Sequence, residues 1–259
     1  MEINLVVLNL GNSRLASAIF EAGELGEVTR TPHTERDRWE QTIGNAWKRI
    51  ANRENATIVA ASVNPKLREQ LENTVSAVAG RDIVWVSEDL DLPIRVLTDN
   101  PKETGVDRVL TMAAAYEQLG KACVVVDAGT AVTVNCCNDN GDFLGGAIAP
   151  GVEMALAAMH KGTALLPKID FDVPKGAYGT STSSAILHGV YHSIRGMVKE
   201  VVENYATELG TWPELIATGG DAERLFNGWE LVHAISPDLG MYGIALAYAE
   251  HHIHNDNNE

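Results

Sequence analysis

Apolar residues in this chain come either in short unbroken runs or at intervals of three to four, and the two patterns alternate, predicting strands and helices in turn. Leu5–Leu8 is a compact apolar run, Gly11 and Asn12 mark a turn, and Leu15–Phe20 resumes as a second strand, so the segment reads as a hairpin. Trp39, Ile43, Trp47 and Ile50 then recur at helical spacing. Ala56–Val63 reads as a buried strand, Asn64 and Pro65 as the cap and first turn of a helix, and "DIVWVS" as a further strand. Helices between strands require crossover connections and partly parallel pairing.

The pattern restarts at "ACVVVDAGTAVTVNCCNDNGDFLGGAIAPG" with a strand, a glycine turn, a second strand, a hairpin at Asn138–Gly141 and a third strand. Helices are expected at Glu153–Leu166 and Ser183–Tyr205, followed by the strand "ELIATGG", the short helix "DAERLFNG" and the terminal helix "DLGMYGIALAYAEHH". The tail "HHIHNDNNE" is polar and expected to fray; its histidines have no acidic or cysteine partner in register and read as a solvated helix end. Two rounds of one architecture, with no Gly/Ser- or Pro-rich linker, predict an α/β fold of two similar lobes with a cleft between them. The expected division, near "EQLGKACVVV", is 1–120 and 121–259. Clefts of this kind are common ligand sites.

Composition narrows the picture. With 259 residues, 45% apolar and 21% charged, the chain has the make-up of a soluble globular protein with a substantial core. A net charge of −15 argues against a protein whose main role is to hold nucleic acid. It does not exclude a nucleotide, because backbone amides and one cation can reverse the potential inside a cleft. No apolar run approaches the length of a membrane span, and a start with Glu2 leading straight into a strand does not read as a signal peptide. Three cysteines without metal-ligand spacing fit a reducing compartment, so a cytoplasmic location is expected.

The chemistry sits in the repeat. "VVLNLGNS" (Val6–Ser13) and "VVVDAGTA" (Val124–Ala131) share an apolar strand, a polar residue, a spacer, a glycine and short polar side chains. The second copy has a carboxylate, Asp127, where the first has an amide, Asn9. Gly11 and Gly129 allow close approach and unusual φ, and Asn12, Ser13 and Thr130 add short donors. One such turn alone would be an ordinary hairpin turn. Two at matching places could hold the phosphates of one nucleotide. A third glycine turn, "ATGGD" at Ala217–Asp221, follows a strand and opens a helix, where an adenosine could pack.

In this order the three turns resemble those of the sugar kinase, actin and Hsp70 superfamily, and the remaining segments resemble its type III pantothenate kinases. "TGVDRVLTMAAAY" (Thr104–Tyr116) is similar to that family's Gly-x-Asp-Arg segment, and "ASVNP", "GTSTSSAILHG", "ATGGDA" and "SPDLGMYGI" follow in the family's order from about Leu5 to about Tyr248. The resemblance implies an actin-like, ribonuclease H-like ATPase fold and ATP-dependent phosphorylation of pantothenate. It places Asp107 as the general base, with Gly105, Val106, Arg108 and Thr182 around the substrate. Thr180 is the alternative to Thr182, and the bland reading of Thr180–Ser183 is a helix cap. Asn9, Leu10, Gly11, Asn12, Ser13, Arg14, Thr130, Gly219 and Gly220 fall at nucleotide contacts. Asp127 matches the acid for a monovalent cation, K⁺ or NH₄⁺, beside Mg²⁺ at the ATP phosphates. The family is dimeric, and the helices "VEMALAAMHKGTALL" and "SAILHGVYHSIRGMVKEVV" are the candidate homodimer surface.

Three residues depart from the family pattern. Asn9 replaces the Asp of the first phosphate turn, Thr98 stands where a tyrosine is usual, and Asn135 stands where an Asp is usual. An Asn carbonyl still coordinates Mg²⁺, which is often held largely by phosphates and water. The expectation is therefore an active pantothenate kinase. The rival readings are a non-catalytic nucleotide-binding regulator and a kinase of the same fold acting on another small hydroxyl compound.

Overall fold

A computed structural model describes residues 3–256. The chain divides into two compact units, one running up to Glu117 and taking in the chain from Asp238 on, the other Gln118–Pro237.

In the first unit the described residues form a six-stranded sheet. Its centre is β1 (Asn4–Leu10), antiparallel to β2 (Arg14–Glu21) and parallel to β5 (Thr57–Ser62). The short β3 (Glu24–Leu25) and β4 (Thr29–Pro32) both pair with β2, and β6 (Val84–Trp85) extends the sheet beyond β5. Successive side chains of a strand point to opposite faces. Val6, Leu8 and Leu10 accordingly join a core with Trp39, Ile43, Trp47 and Ile50 of α1 (Trp39–Ile50) and Leu71 and Val75 of α2 (Pro65–Ala79). Leu5 and Val7 join a second core on the other face, with Leu110 of α3 (Val106–Leu119) and Met241, Ile244, Ala245 and Tyr248 of α7 (Leu239–Asp256). The three- to four-residue spacing of the apolar positions in α1 thus marks the face it buries. Pro65 opens α2 as expected and Gly80, in the left-handed region, ends it. Asn64 occupies the cap position but its side chain makes no cap bond; its N–H donates to Ser62 Oγ instead (3.0 Å).

The second unit repeats the plan with a five-stranded sheet in the order β11-β10-β7-β8-β9. The central β7 (Cys123–Ala128) is antiparallel to β8 (Ala131–Cys137) and parallel to β10 (Glu214–Thr218), which is parallel to β11 (Ala234–Ile235); β9 (Phe143–Pro150) forms one edge. The strand series β2-β1-β5-β6 and β8-β7-β10-β11 therefore have the same directions in the same order. The core lies under α5 (Thr182–Leu209), which buries Ile186, Val190, Ile194, Val198 and Val202, with α4 (Val152–Lys161) and α6 (Ala222–Phe226) beside it.

The helix expected to reach Leu166 stops at Lys161. Thr163 Oγ1 donates to the Met159 carbonyl and accepts from the Leu166 N–H, so a side chain takes over where the backbone ladder would have continued. α5 runs on past the expected Tyr205 to Leu209, where Gly210 takes a left-handed φ of 69°.

The expected division also changes at its C-terminal end. α7 belongs with β1, β2 and β5 rather than with 121–237. Met241, Ile244 and Tyr248 bury against Leu5, Val7 and Val59, and a glycine lets the helix approach closely enough to do so. A Cβ on Gly243 would lie 2.1 Å from the Leu110 carbonyl oxygen, so α7 and α3 touch backbone to backbone at a point only glycine permits. α7 also continues through Asp256, into the stretch expected to fray; the rest of that stretch, 257–259, lies outside the described residues, as does Glu2.

Gly243→Ala is expected to lower unfolding stability by about 1–3 kcal/mol, the usual cost of forcing an extra methyl into a packed contact. Gly189→Ala, in α5 with nothing within 4 Å of the new Cβ, is expected to be neutral or stabilising by up to about 1 kcal/mol. Urea denaturation of the two variants beside the parent checks both.

Candidate active site

The first glycine turn joins β1 to β2. Leu10 faces Leu15 across the hairpin, and the Gly11 N–H closes the turn on the Arg14 carbonyl (3.1 Å). Asn12, Ser13 and Arg14 form an exposed tip. Leu10 is a core residue, and its carbonyl accepts from the Val63 N–H (3.2 Å). Asn9 is half-buried, with Ala16 and Ala61 as its cross-strand neighbours. A Cβ on Gly240, in the first turn of α7, would lie 3.3 Å from Asn9 Nδ2.

The same unit carries the Gly-x-Asp-Arg segment at the start of α3. Asp107 Oδ1 accepts the Arg108 N–H at 2.9 Å, and a Cβ on Gly105 would come within 2.8 Å of that oxygen. The stem of Arg108 also folds over Gly105, with Cδ 3.7 Å from the same position. Glycine at 105 thus lets the carboxylate turn back over the chain. Burial pushes the Asp107 carboxyl above the usual aspartate range, against the Arg108 N–H and the Arg108 charge, which pull it down. Val106 packs at the edge of the α7 core, and the Thr111 hydroxyl donates to the Arg108 carbonyl (3.0 Å). Thr98 bonds hydroxyl to hydroxyl with Thr104 (2.8 Å), so this departure from the family pattern braces the residue immediately before Gly105.

In the second unit the turn after β7 is tighter. Ala128 faces Val132, one residue closer along the chain than Leu10 to Leu15, and the Gly129 N–H closes on the Ala131 carbonyl (3.0 Å). Two glycines from elsewhere pack on it. A Cβ on Gly151 would lie 2.4 Å from the Gly129 oxygen, and one on Gly219 would lie 2.4 Å from Asp127 Oδ1. Gly219 has φ +95°, and the Asp221 N–H donates to the Ala128 carbonyl (3.0 Å), so the third glycine turn is fastened to the second. Thr130 and Gly220 stand exposed beside it. Asp127 is flanked across the strands by Thr133 and Thr218. Asn135 lies two residues along β8 from Thr133, fully buried, and its Nδ2 donates to Thr133 Oγ1 (3.0 Å). Thr182 is the first residue of α5, exposed, and its neighbour Ser181 caps the helix in a reciprocal pair with Ser184.

Asp127, Thr130 and the Gly219–Gly220 turn are therefore brought together in one unit; in the other, Gly240 lies between Asn9 and α3, a Cβ there falling 3.3 Å from Asn9 Nδ2 and 3.5 Å from Thr111 Cγ2. One expectation needs correction. Gly11 and Gly129 do not take left-handed φ and spend their own N–H groups closing their turns; the glycine whose conformation demands it is Gly219. Sequence reading missed Gly151, Gly240, Thr133 and Thr218. Thr133 was legible in principle, since β8 alternates from Ala131 to Val134, whereas the place of Thr218 beside Asp127 is set by the parallel pairing of β10 with β7.

The family model for type III pantothenate kinase matches residues 5–204. The chain belongs to the type III pantothenate kinase family. Curated members include that of Solibacter usitatus (strain Ellin6076), 30% identical over 96% of this chain and 97% of its own, and that of Akkermansia muciniphila, 35% identical over 73% and 76%. Among solved structures, a Baf family protein from Campylobacter jejuni is similar at TM-score 0.62 and 21% identity, covering 97% of this chain and 99% of that one. MreB5 of Spiroplasma citri is similar at TM-score 0.53 and 11% identity, covering 99% of each. These likenesses show the fold, the two-sheet α/β plan of the actin-like ATPases.

The environment of Asp107 gives a signed expectation. A carboxyl raised above its unfolded value favours the folded state fully below the unfolded pKa and loses that contribution as pH rises through the folded one. The charged form is thus a cost at neutral pH. Asp107→Asn should be more stable than the parent at pH 7.5, with the gap closing as pH falls toward about 4. Paired denaturation curves at the two pH values check the sign.

Proposed function

We propose that this chain transfers the γ-phosphoryl group of ATP to the hydroxyl of pantothenate, giving 4′-phosphopantothenate, the first step toward coenzyme A. The observation that carries the reading is the Gly-x-Asp-Arg segment of a family member with its acid intact, turned back over Gly105 and raised in proton affinity by burial. The substrate oxygen forms a bond to the γ-phosphorus as the bond to the β–γ bridging oxygen breaks, ADP leaves, and Asp107 takes the hydroxyl proton. A base with raised proton affinity suits that role, because proton acceptance is most effective when the pKa lies nearer the working pH. The Arg108 guanidinium is suited to the pantothenate carboxylate, with Thr182 a further substrate contact.

In this reading Asn9–Arg14, Thr130, Gly219 and Gly220 contact ATP, and Asp127 holds K⁺ or NH₄⁺. The donor set fits a hard cation: Asp127 supplies a carboxylate with the hydroxyl residues Thr133 and Thr218 on either side. Among the described residues no cluster of three or more His, Cys, Asp or Glu stands ready for a metal. Mg²⁺ would accordingly keep ATP oxygens and water as its main ligands, with the Asn9 carbonyl the nearest match to the family's acid. Bound there, it neutralises charge on the phosphates.

A homodimer is part of the proposal. Ile148 on β9 and Met154 on α4 are 63% and 46% exposed, with Leu144 and Met159 also open, large apolar side chains of the kind a second copy would cover. Ile148→Glu combined with Met154→Glu should shift sedimentation toward the monomer; an unchanged dimer would place the interface elsewhere. No helix among the described residues is long and apolar enough to cross a membrane.

Purified protein with ATP, Mg²⁺, K⁺ and pantothenate should form phosphopantothenate, and Asp107→Asn should lower kcat by about 10²-fold or more. Turnover no greater than in that variant would overturn the kinase reading in favour of a nucleotide-binding regulator. Asn9→Asp should raise activity or lower the Mg²⁺ needed for half-maximal rate.

A further inference from the structure

We infer that His33 is a positioning residue for the first glycine turn, fixing the direction in which that turn presents its backbone to nucleotide phosphates. The inference rests on the kinase reading above. β4 pairs with β2 so that Pro32 lies opposite Arg14, which delivers the next residue, His33, to the side of the turn. There it makes two hydrogen bonds. Its backbone N–H donates to the Ser13 carbonyl (3.0 Å), and its ring Nε2 lies 2.9 Å from the Gly11 carbonyl oxygen. A carbonyl only accepts, so Nε2 carries the hydrogen of this bond.

That ring is held at a cost. Nδ1 is buried without a hydrogen-bond partner, and Trp39, edge-on to it at 5.8 Å between ring centroids, has its Nε1 buried and unpartnered as well. A leucine here would fill the same space against Trp39 and leave one orphan atom fewer, so packing alone does not call for an imidazole. What an apolar residue cannot supply is the N–H to Gly11. In a trans peptide the carbonyl and the following N–H point in opposite directions. With the Gly11 carbonyl drawn toward His33, the Asn12 N–H is aimed away from it, at the exposed tip of the turn. The Gly11 N–H is already used on Arg14, so the Asn12 N–H is the donor that His33 orients for a phosphate oxygen.

The test compares the parent chain with His33→Leu, which keeps the bulk and removes the donor, and His33→Gln, whose amide nitrogen reaches about as far as Nε2. KM is measured for Mg·ATP and for pantothenate separately, beside the thermal midpoint. His33→Leu should raise KM for ATP about 5- to 10-fold, the worth of one neutral hydrogen bond, with KM for pantothenate within about twofold. His33→Gln should recover most of the loss, and long-range nitrogen–proton spectra of the parent should show the Nε2–H tautomer. An unchanged KM for ATP, both KM values rising together, or a glutamine variant no better than leucine would overturn the inference. Calorimetric ATP binding separates it from the kinase reading. If the chain binds ATP but forms no phosphopantothenate, the kinase reading fails, while a matching loss of ATP affinity in His33→Leu still supports the role of His33 and an equal affinity overturns it.

Discussion

The backbone contact between α7 and α3 is the constraint on which the first unit depends. Gly243 lies so close to the Leu110 carbonyl that any side chain there would have to displace main chain, and main chain cannot be displaced cheaply in a core packed to crystal density. Because the helices meet at this distance, α7 can fill the face of β1 that α1 and α2 leave open, with Met241, Ile244 and Tyr248 against Leu5, Val7 and Val59. The same closeness fixes the start of α3, where Asp107 and Arg108 lie within one turn of Leu110. It also brings Gly240, one turn up α7, to Asn9. One backbone contact thereby bears on both the start of α3 and the surroundings of Asn9.

The two copies of the glycine turn differ in more than one residue. Asp127 stands between Thr133 and Thr218, and Gly219 exposes its backbone directly to the carboxylate. Asn135, buried and bonded to Thr133, extends that polar row along β8. At the matching place Asn9 stands between Ala16 and Ala61. A carboxylate needs hydrogen-bond donors or a cation when it is withdrawn from water, and the second turn is furnished with hydroxyls while the first is not. An amide is the residue that suits the apolar neighbours of the first turn, since it loses less on leaving water than a charge does. The departure at position 9 and its surroundings are therefore consistent with one another.

Much of this was legible along the chain. The period of Trp39, Ile43, Trp47 and Ile50 marked the buried face of α1, the unbroken apolar runs marked the central strands, and the recurrence of strand, glycine turn and strand announced that one plan is used twice. These features are local, and local features follow from backbone geometry and the burial of one face. The chemistry of Asp107 was half legible. Its place in the first turn of a helix could be read, but its raised proton affinity depends on burial and on the space left by Gly105.

The sequence by itself determined the central strands, most of the long helices, the duplication and the family of turns, because each is written in residues a few positions apart. Only the tertiary structure decided that the last helix returns to the first unit, that Gly151 and Gly219 back onto the second turn, and that His33 holds the first. Those pairings join residues such as Gly243 and Leu110 or Gly219 and Asp127, far apart in the chain and marked by nothing but the absence of a side chain. A glycine on its own says only that the backbone is free there; what approaches it is settled when the chain packs.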